Sequence, residues 1–202
     1  KNVKYFIPYY SNNSAKQSTY LPKSDVERYV GDGQLKKYKY VYSSDKESIE
    51  MMFANIDDPA QTMESIISKI IDADDPDFKG LSTWADFIDK VTENSQKGSG
   101  QKGSNDISVL SWRKFKRIVR KAIQDEMFAN RVVPEKNECR LADELKQIGK
   151  NDVFVIDIAK LPEDKQAFVF GDAVRTIYNL KLGEYDAENG VAPPSRIIVF
   201  ID

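Results

Sequence analysis

Histidine is absent from these 202 residues, and cysteine occurs once. The first absence removes the commonest general base and metal ligand, so catalysis by this chain alone would rest on carboxylates, Lys, Arg, Tyr or the single thiol. The second excludes an internal disulfide. With no histidine to activate it, Cys139 reads as structural, and such sparing use of cysteine fits a reducing cytosol. No apolar run approaches the roughly 20 residues of a membrane helix, and Lys1-Asn2-Val3 does not open a signal peptide. An excess of one charge is missing too: 30 basic residues against 32 acidic leave a net −2, so attraction to nucleic acid would need a local patch. The phosphate-wrapping sequence Gly-x-x-x-x-Gly-Lys-Ser/Thr occurs nowhere. The nearest string, residues 98–104, has its lysine before the glycine.

What is present, 41% hydrophobic and 31% charged, suffices for one sizeable core or a core with a helical appendage. Residues 1–43 open with a strand at 3–7 that Pro8 stops, continue as a polar, tyrosine-rich loop to about Gly33, and give a second strand at 38–42. Residues 44–131 change to helical periodicity. Ser44 with Glu47 has the form of a capping box for a helix through Ile56. Asp58-Pro59 starts another helix with Met63, Ile66, Ile67, Ile70 and Ile71 on one face. Thr83 with Asp86 opens a third, carrying Trp84, Phe87, Ile88 and Val91, and residues 109–129 read as the longest, with Trp112, Phe115, Ile118, Val119 and Ile123 at helical spacing. Between them, residues 95–105 nearly repeat Gln-Lys-Gly-Ser and read as a mobile loop. Residues 132–202 return to α/β patterning: a strand at 153–157, an amphipathic helix at 162–182 with Phe168, Ala173, Val174, Ile177 and Tyr178 inward, and a buried parallel strand at 197–201. Strand, helix, strand in about 50 residues predicts a right-handed parallel crossover.

Several residue groups could carry chemistry. The last strand ends in Asp202, the form of a Walker B element, whose acid holds Mg²⁺ beside nucleotide phosphates; many strands also end in Asp simply to cap a loop. Arg113, Lys114, Lys116, Arg117, Arg120 and Lys121 line one helix and could press against DNA phosphates, or form a solvated face paired with acids. Lys97 and Lys102 have the same two readings. Asp72, Asp74, Asp75 and Asp77 could hold a metal through oxygen, but an EF-type calcium loop needs Gly sixth and Glu twelfth, where this chain has Asp77 and Thr83. Turn formation and capping explain the acids better. Arg140 and Arg175 read as surface arginines or as arginines donated across a subunit interface.

The tail, NDVFVIDIAKLPEDKQAFVFGDAVRTIYNLKL followed by PPSRIIVFID, resembles the HerA-type branch of the HerA/FtsK P-loop ATPases: a strand of the form hydrophobic-hydrophobic-Asp-hydrophobic-x-x-Leu, a helix opening with acids and Gln, then a Walker B strand. The opening NVKYFIPYY and the helical middle match by order and length. The resemblance implies part of a RecA-like α/β core, with a parallel sheet interrupted by a helical insertion at 44–131. It makes Asp202 the Mg²⁺-holding acid and Arg175 a possible trans arginine. It implies ATP and Mg²⁺ as cofactors of the whole protein, double-stranded DNA as partner, a hexameric ring, a possible effector protein, no membrane, and a cytoplasmic place. The phosphate-binding loop and the glutamate after Asp202 are not in this sequence, so the chain is expected to be a segment of a longer protein and inactive alone. The competing expectation is a non-enzymatic helical module that binds a protein or DNA.

Overall fold

The computed structural model describes residues 2–11, 17–53, 62–96, 107–129, 136–183 and 193–201. The chain divides into two compact units, residues 1–39 with 134–202 and residues 40–133. Its strands are β1 (Asn2–Pro8), β2 (Leu35–Val41), β3 (Phe128–Ala129), β4 (Glu138–Arg140) and β5 (Asp152–Ile156), and every pairing among them is parallel.

In the first unit the strands lie in the order β4-β2-β1-β5. Tyr5 is in register with Leu35 and Val155, so Tyr5, Ile7, Leu35, Val153 and Val155 share one face, while Lys4, Phe6, Lys36, Tyr38 and Phe154 share the other. Helix α1 (Lys23–Gly31) covers the first face over β1 and β2: Val26 joins Ile7 and Leu35 in a buried cluster, and Tyr29 stacks on Tyr5 at 5.0 Å. This helix lies where the sequence suggested loop. Its signals are Pro22 at the N-cap, Asp25 in the first turn and the pair Val26 and Val30 one turn apart. On the opposite face, Glu144 of α7 (Leu141–Lys146) sits 2.5 Å from the Lys36 ammonium and 3.9 Å from that of Lys4. Helix α8 (Glu163–Leu182) packs against α7 and ends at Gly183, whose φ of 75° suits the left-handed stop. A parallel sheet with helices on both faces is an α/β fold.

Two expectations fail in this unit. The buried stripe of α8 is Phe168, Val169, Ala173, Thr176 and Leu180; Val174 and Tyr178 lie exposed instead of inward. Residues 196–201 form no strand, and Ile198, Val199, Phe200 and Ile201 are 50–90% exposed. Apolar composition favours a strand only where a neighbour accepts its backbone hydrogen bonds, and the outer edge of β5 carries none among the described residues.

The second unit is helical: α2 (Tyr42–Asp45), a 3₁₀ turn (Lys46–Ser48), α3 (Ile49–Phe53), α4 (Thr62–Ile71), α5 (Trp84–Gln96) and α6 (Val109–Ala122). The single helix expected from Ser44 is broken because Asp45 turns its carboxylate back onto the Val41 amide at 2.5 Å and leaves helical geometry at φ −120°, ψ 9°. The box at Thr83 does form, with the Asp86 amide bonded to Thr83 Oγ1 at 3.1 Å and the Thr83 amide to Asp86 Oδ2 at 3.2 Å. Helices α5 and α6 pack together around an aromatic core. There Tyr42 stacks on Phe87 at 5.0 Å and Phe78 on Trp112 at 5.9 Å, each pair adding about 0.5–1.5 kcal/mol beyond its area. The last helix stops seven residues short of Ala129, because Phe128 and Ala129 pair with Tyr40 and Val41 as β3. Asp58-Pro59 and residues 97–105 lie outside the described residues.

Candidate functional site

Because the strands are parallel, their carboxyl ends gather on one rim of the first unit, and ligands of open α/β sheets bind outside that rim where neighbouring crossovers diverge. Here β1 leads to α1 on one face and β5 leads to α8, packed with α7 on the other, so the divergence lies between β1 and β5. Asp157, the first residue past β5, is fixed at this point. Its amide donates to Phe6 O at 2.8 Å, its Oδ2 accepts from Thr19 Oγ1 at 2.5 Å, and its Oδ1 accepts from the Ala159 amide at 3.0 Å. Thr19 is fully buried, and its Oγ1 also accepts from the Leu21 amide. Ser18 donates to Pro8 O, and Lys160 lies 4.8 Å from the Tyr20 ring. Residues 17–21 are thereby laced across the crevice.

Around it stand lysines held on tyrosine faces. Lys37 donates to Tyr10 O at 3.0 Å and sits 3.9 Å from the Tyr10 ring centre; Lys39, buried, sits 3.5 Å from that of Tyr9 and 2.8 Å from Glu138. Burial raises the Tyr10 phenol above its usual pKa. Asp157 has both oxygens engaged and acts as a strut of the loop. The sequence placed it in a strand and gave it no role, although a buried strand ending in Asp is the same signal that singled out Asp202.

Asp202 lies outside the described residues. Arg175 is exposed on α8, and Arg140 holds Asp143 with both carboxylate oxygens 3.0 Å from its Nη1, a clasp at the start of α7. Asp72 and Asp75 accept the amides of Asp74 and Asp77 in tight turns, and Lys69 closes on Asp75 at 2.6 Å; turn formation and ion pairing occupy these acids.

In the second unit, Arg113, Lys116, Arg117 and Arg120 recur at i, i+3, i+4 and i+7 along α6, beside the buried face of Trp112, Phe115 and Val119. Arg113 is anchored by Nε to Ser95 O at 3.1 Å. Lys116, Arg117 and Arg120 have no carboxylate within ion-pair distance among the described residues, so the stripe keeps its charge. An open groove of about 630 Å³ adjoins its end, lined by Trp84, Ile88, Asp89, Arg120, Asp125 and Phe128. No helix among the described residues is long and apolar enough to cross a membrane.

No family model, no curated protein and no solved structure matches this chain.

Proposed function

We propose that the chain supplies part of the nucleotide-handling core of a HerA-type motor ATPase that moves along double-stranded DNA, with the helical unit as its DNA-facing insertion. The observation that carries the reading is the behaviour of the first part of the segment bearing the resemblance: residues 152–182 fold as a parallel strand and its following helix, with Asp157 at the carboxyl rim where such sheets take ligands. The chain holds no phosphate-wrapping loop, so alone it neither retains nor hydrolyses ATP. ATP and Mg²⁺ would be bound by the complete protein, with Asp202 as the metal-holding acid and Arg175, exposed on α8, available to a neighbouring subunit of a hexamer. A longer protein that adds a phosphate-binding loop ahead of Lys1 and a glutamate after Asp202 tests this: it should release phosphate from ATP, while the chain alone should not. Failure of the longer, folded protein to turn over ATP contradicts the proposal.

A second reading, a DNA-binding helical module that works without ATP, is favoured by the α6 stripe, in which Lys116, Arg117 and Arg120 have no acidic partner among the described residues. Under it, the chain alone binds duplex DNA with strong salt dependence, and Arg117→Ala and Arg120→Ala each reduce the salt slope by about 1. No measurable DNA affinity at low salt removes that reading.

A further inference from the structure

The groove of about 630 Å³ opens between the start of α5 and the end of α6, and its size is that of clefts that take ligands, about 300–1,000 Å³. Its floor is fixed. Trp84 Nε1 donates to Tyr40 O at 2.9 Å, and the Trp84 ring meets that of Phe128 edge-on at 5.3 Å, with both side chains buried. Ile88 and Ile123, half-buried, leave apolar surface open beside that floor. A surface already held in place loses little freedom when something binds it.

Charge decides what such a groove accepts. Asp89, Asp125 and Glu126 line it against one cation, Arg120, so it favours a positively charged occupant. Along α6 the sign is the opposite: Val109–Ala122 holds no acid, and Lys116, Arg117 and Arg120 carry the basic stripe up to the groove. Arg120 pairs with none of the groove's acids among the described residues. The charge of the surface therefore reverses within about two turns of helix. Nucleic acid carries the same sign along its whole length, so it suits the stripe and is repelled at the groove. A polypeptide can reverse its charge over that distance. We propose that the groove and the adjoining stripe dock a segment of a partner protein, which seats an apolar side chain flanked by Lys or Arg against Ile88 and Ile123 and sets Asp or Glu on Lys116 and Arg117. Amphipathic segments bind grooves in this way through a few apolar anchors. The site lies wholly within the helical unit, so the docking does not depend on whether the chain serves an ATPase.

Selection of a displayed random-peptide library on the whole chain tests it, followed by the affinities of the selected peptides and of duplex DNA for the chain and two variants. Docking predicts selected peptides with an apolar residue beside Lys or Arg, and with Asp or Glu about one or two turns away. Ile88→Ala should weaken them by removing the apolar contact. Asp89→Lys, at an exposed position of α5, should weaken them about tenfold or more by setting like charges together, with the circular dichroism unchanged. Duplex DNA should bind the Ile88→Ala chain as before and the Asp89→Lys chain no less tightly. A library that yields no enriched peptide overturns the proposal, and so do purely acidic peptides that bind equally to both variants. Duplex DNA that loses affinity with Ile88→Ala as the peptides do overturns it in favour of a nucleic-acid site. A dimer of the chain that Asp89→Lys dissolves overturns it in favour of a second copy.

Discussion

Lys39 and Lys69 are drawn into the interior of this protein, and each faces an acid: Lys39 lies 2.8 Å from Glu138, and Lys69 2.6 Å from Asp75. A buried pair is costly to break on one side, because the remaining charge has lost water and partner together. Lys69→Met should therefore destabilise the fold by about 3–5 kcal/mol in urea melts. Adding Asp75→Asn should return part of that loss, since the amide carbonyl can still accept from the Asp77 amide. Losses that simply add would show that the pair is not coupled. Cys139 makes a second prediction at this scale. Burial first, and then the charge of Glu144, push its thiol up from 9.0 to about 12, so the folded protein holds it protonated. At pH 8 a thiol reagent should react only after denaturation. The group disfavours unfolding fully below pH 9; as pH rises from 9 to about 12 the unfolded chain ionises first, and this contribution falls away. These partnerships were closed to sequence reading: Lys69 and Asp75 are six residues apart, but Lys39 and Glu138 meet only through β2 and β4.

At the scale of elements, legibility followed length and period. Helices α4, α5 and α8 announce themselves by apolar residues at helical spacing, and α5 also by Thr83 and Asp86. Removing that cap with Thr83→Ala should cost about 1 kcal/mol in a thermal or urea melt, whereas Ser44→Ala should cost little as a helix cap, because Asp45 breaks the helix its box would start. Strands β3 and β4, of two and three residues, have too few side chains to show a period. Helix α1 hid behind tyrosines that read as loop, though Tyr29 serves as a packing residue against Tyr5. Residues 197–201 show the reverse: five apolar residues state a preference for a strand, and backbone pairing decides whether one forms. The α6 stripe was readable from spacing alone; that Lys116, Arg117 and Arg120 stand without acids among the described residues required the structure.

For the whole molecule, the parallel arrangement of every strand pair and the helices on both faces of the sheet make the α/β class plain, and the alternation of strand and helix in residues 153–182 announced it. The candidate site was less legible. Its crevice joins Pro8 and residues 17–21 to Asp157, 138 residues from Thr19, through the order β4-β2-β1-β5. The proposed motor depends on Asp202 as the acid that holds Mg²⁺, and this is where it is most exposed to test. The decisive measurement is the rate of phosphate release from Mg-ATP, with and without duplex DNA, by the longer protein and by its Asp202→Asn variant, after circular dichroism shows both folded alike. The account predicts turnover in the first and its loss in the second; unaltered turnover in the Asp202→Asn protein would contradict it.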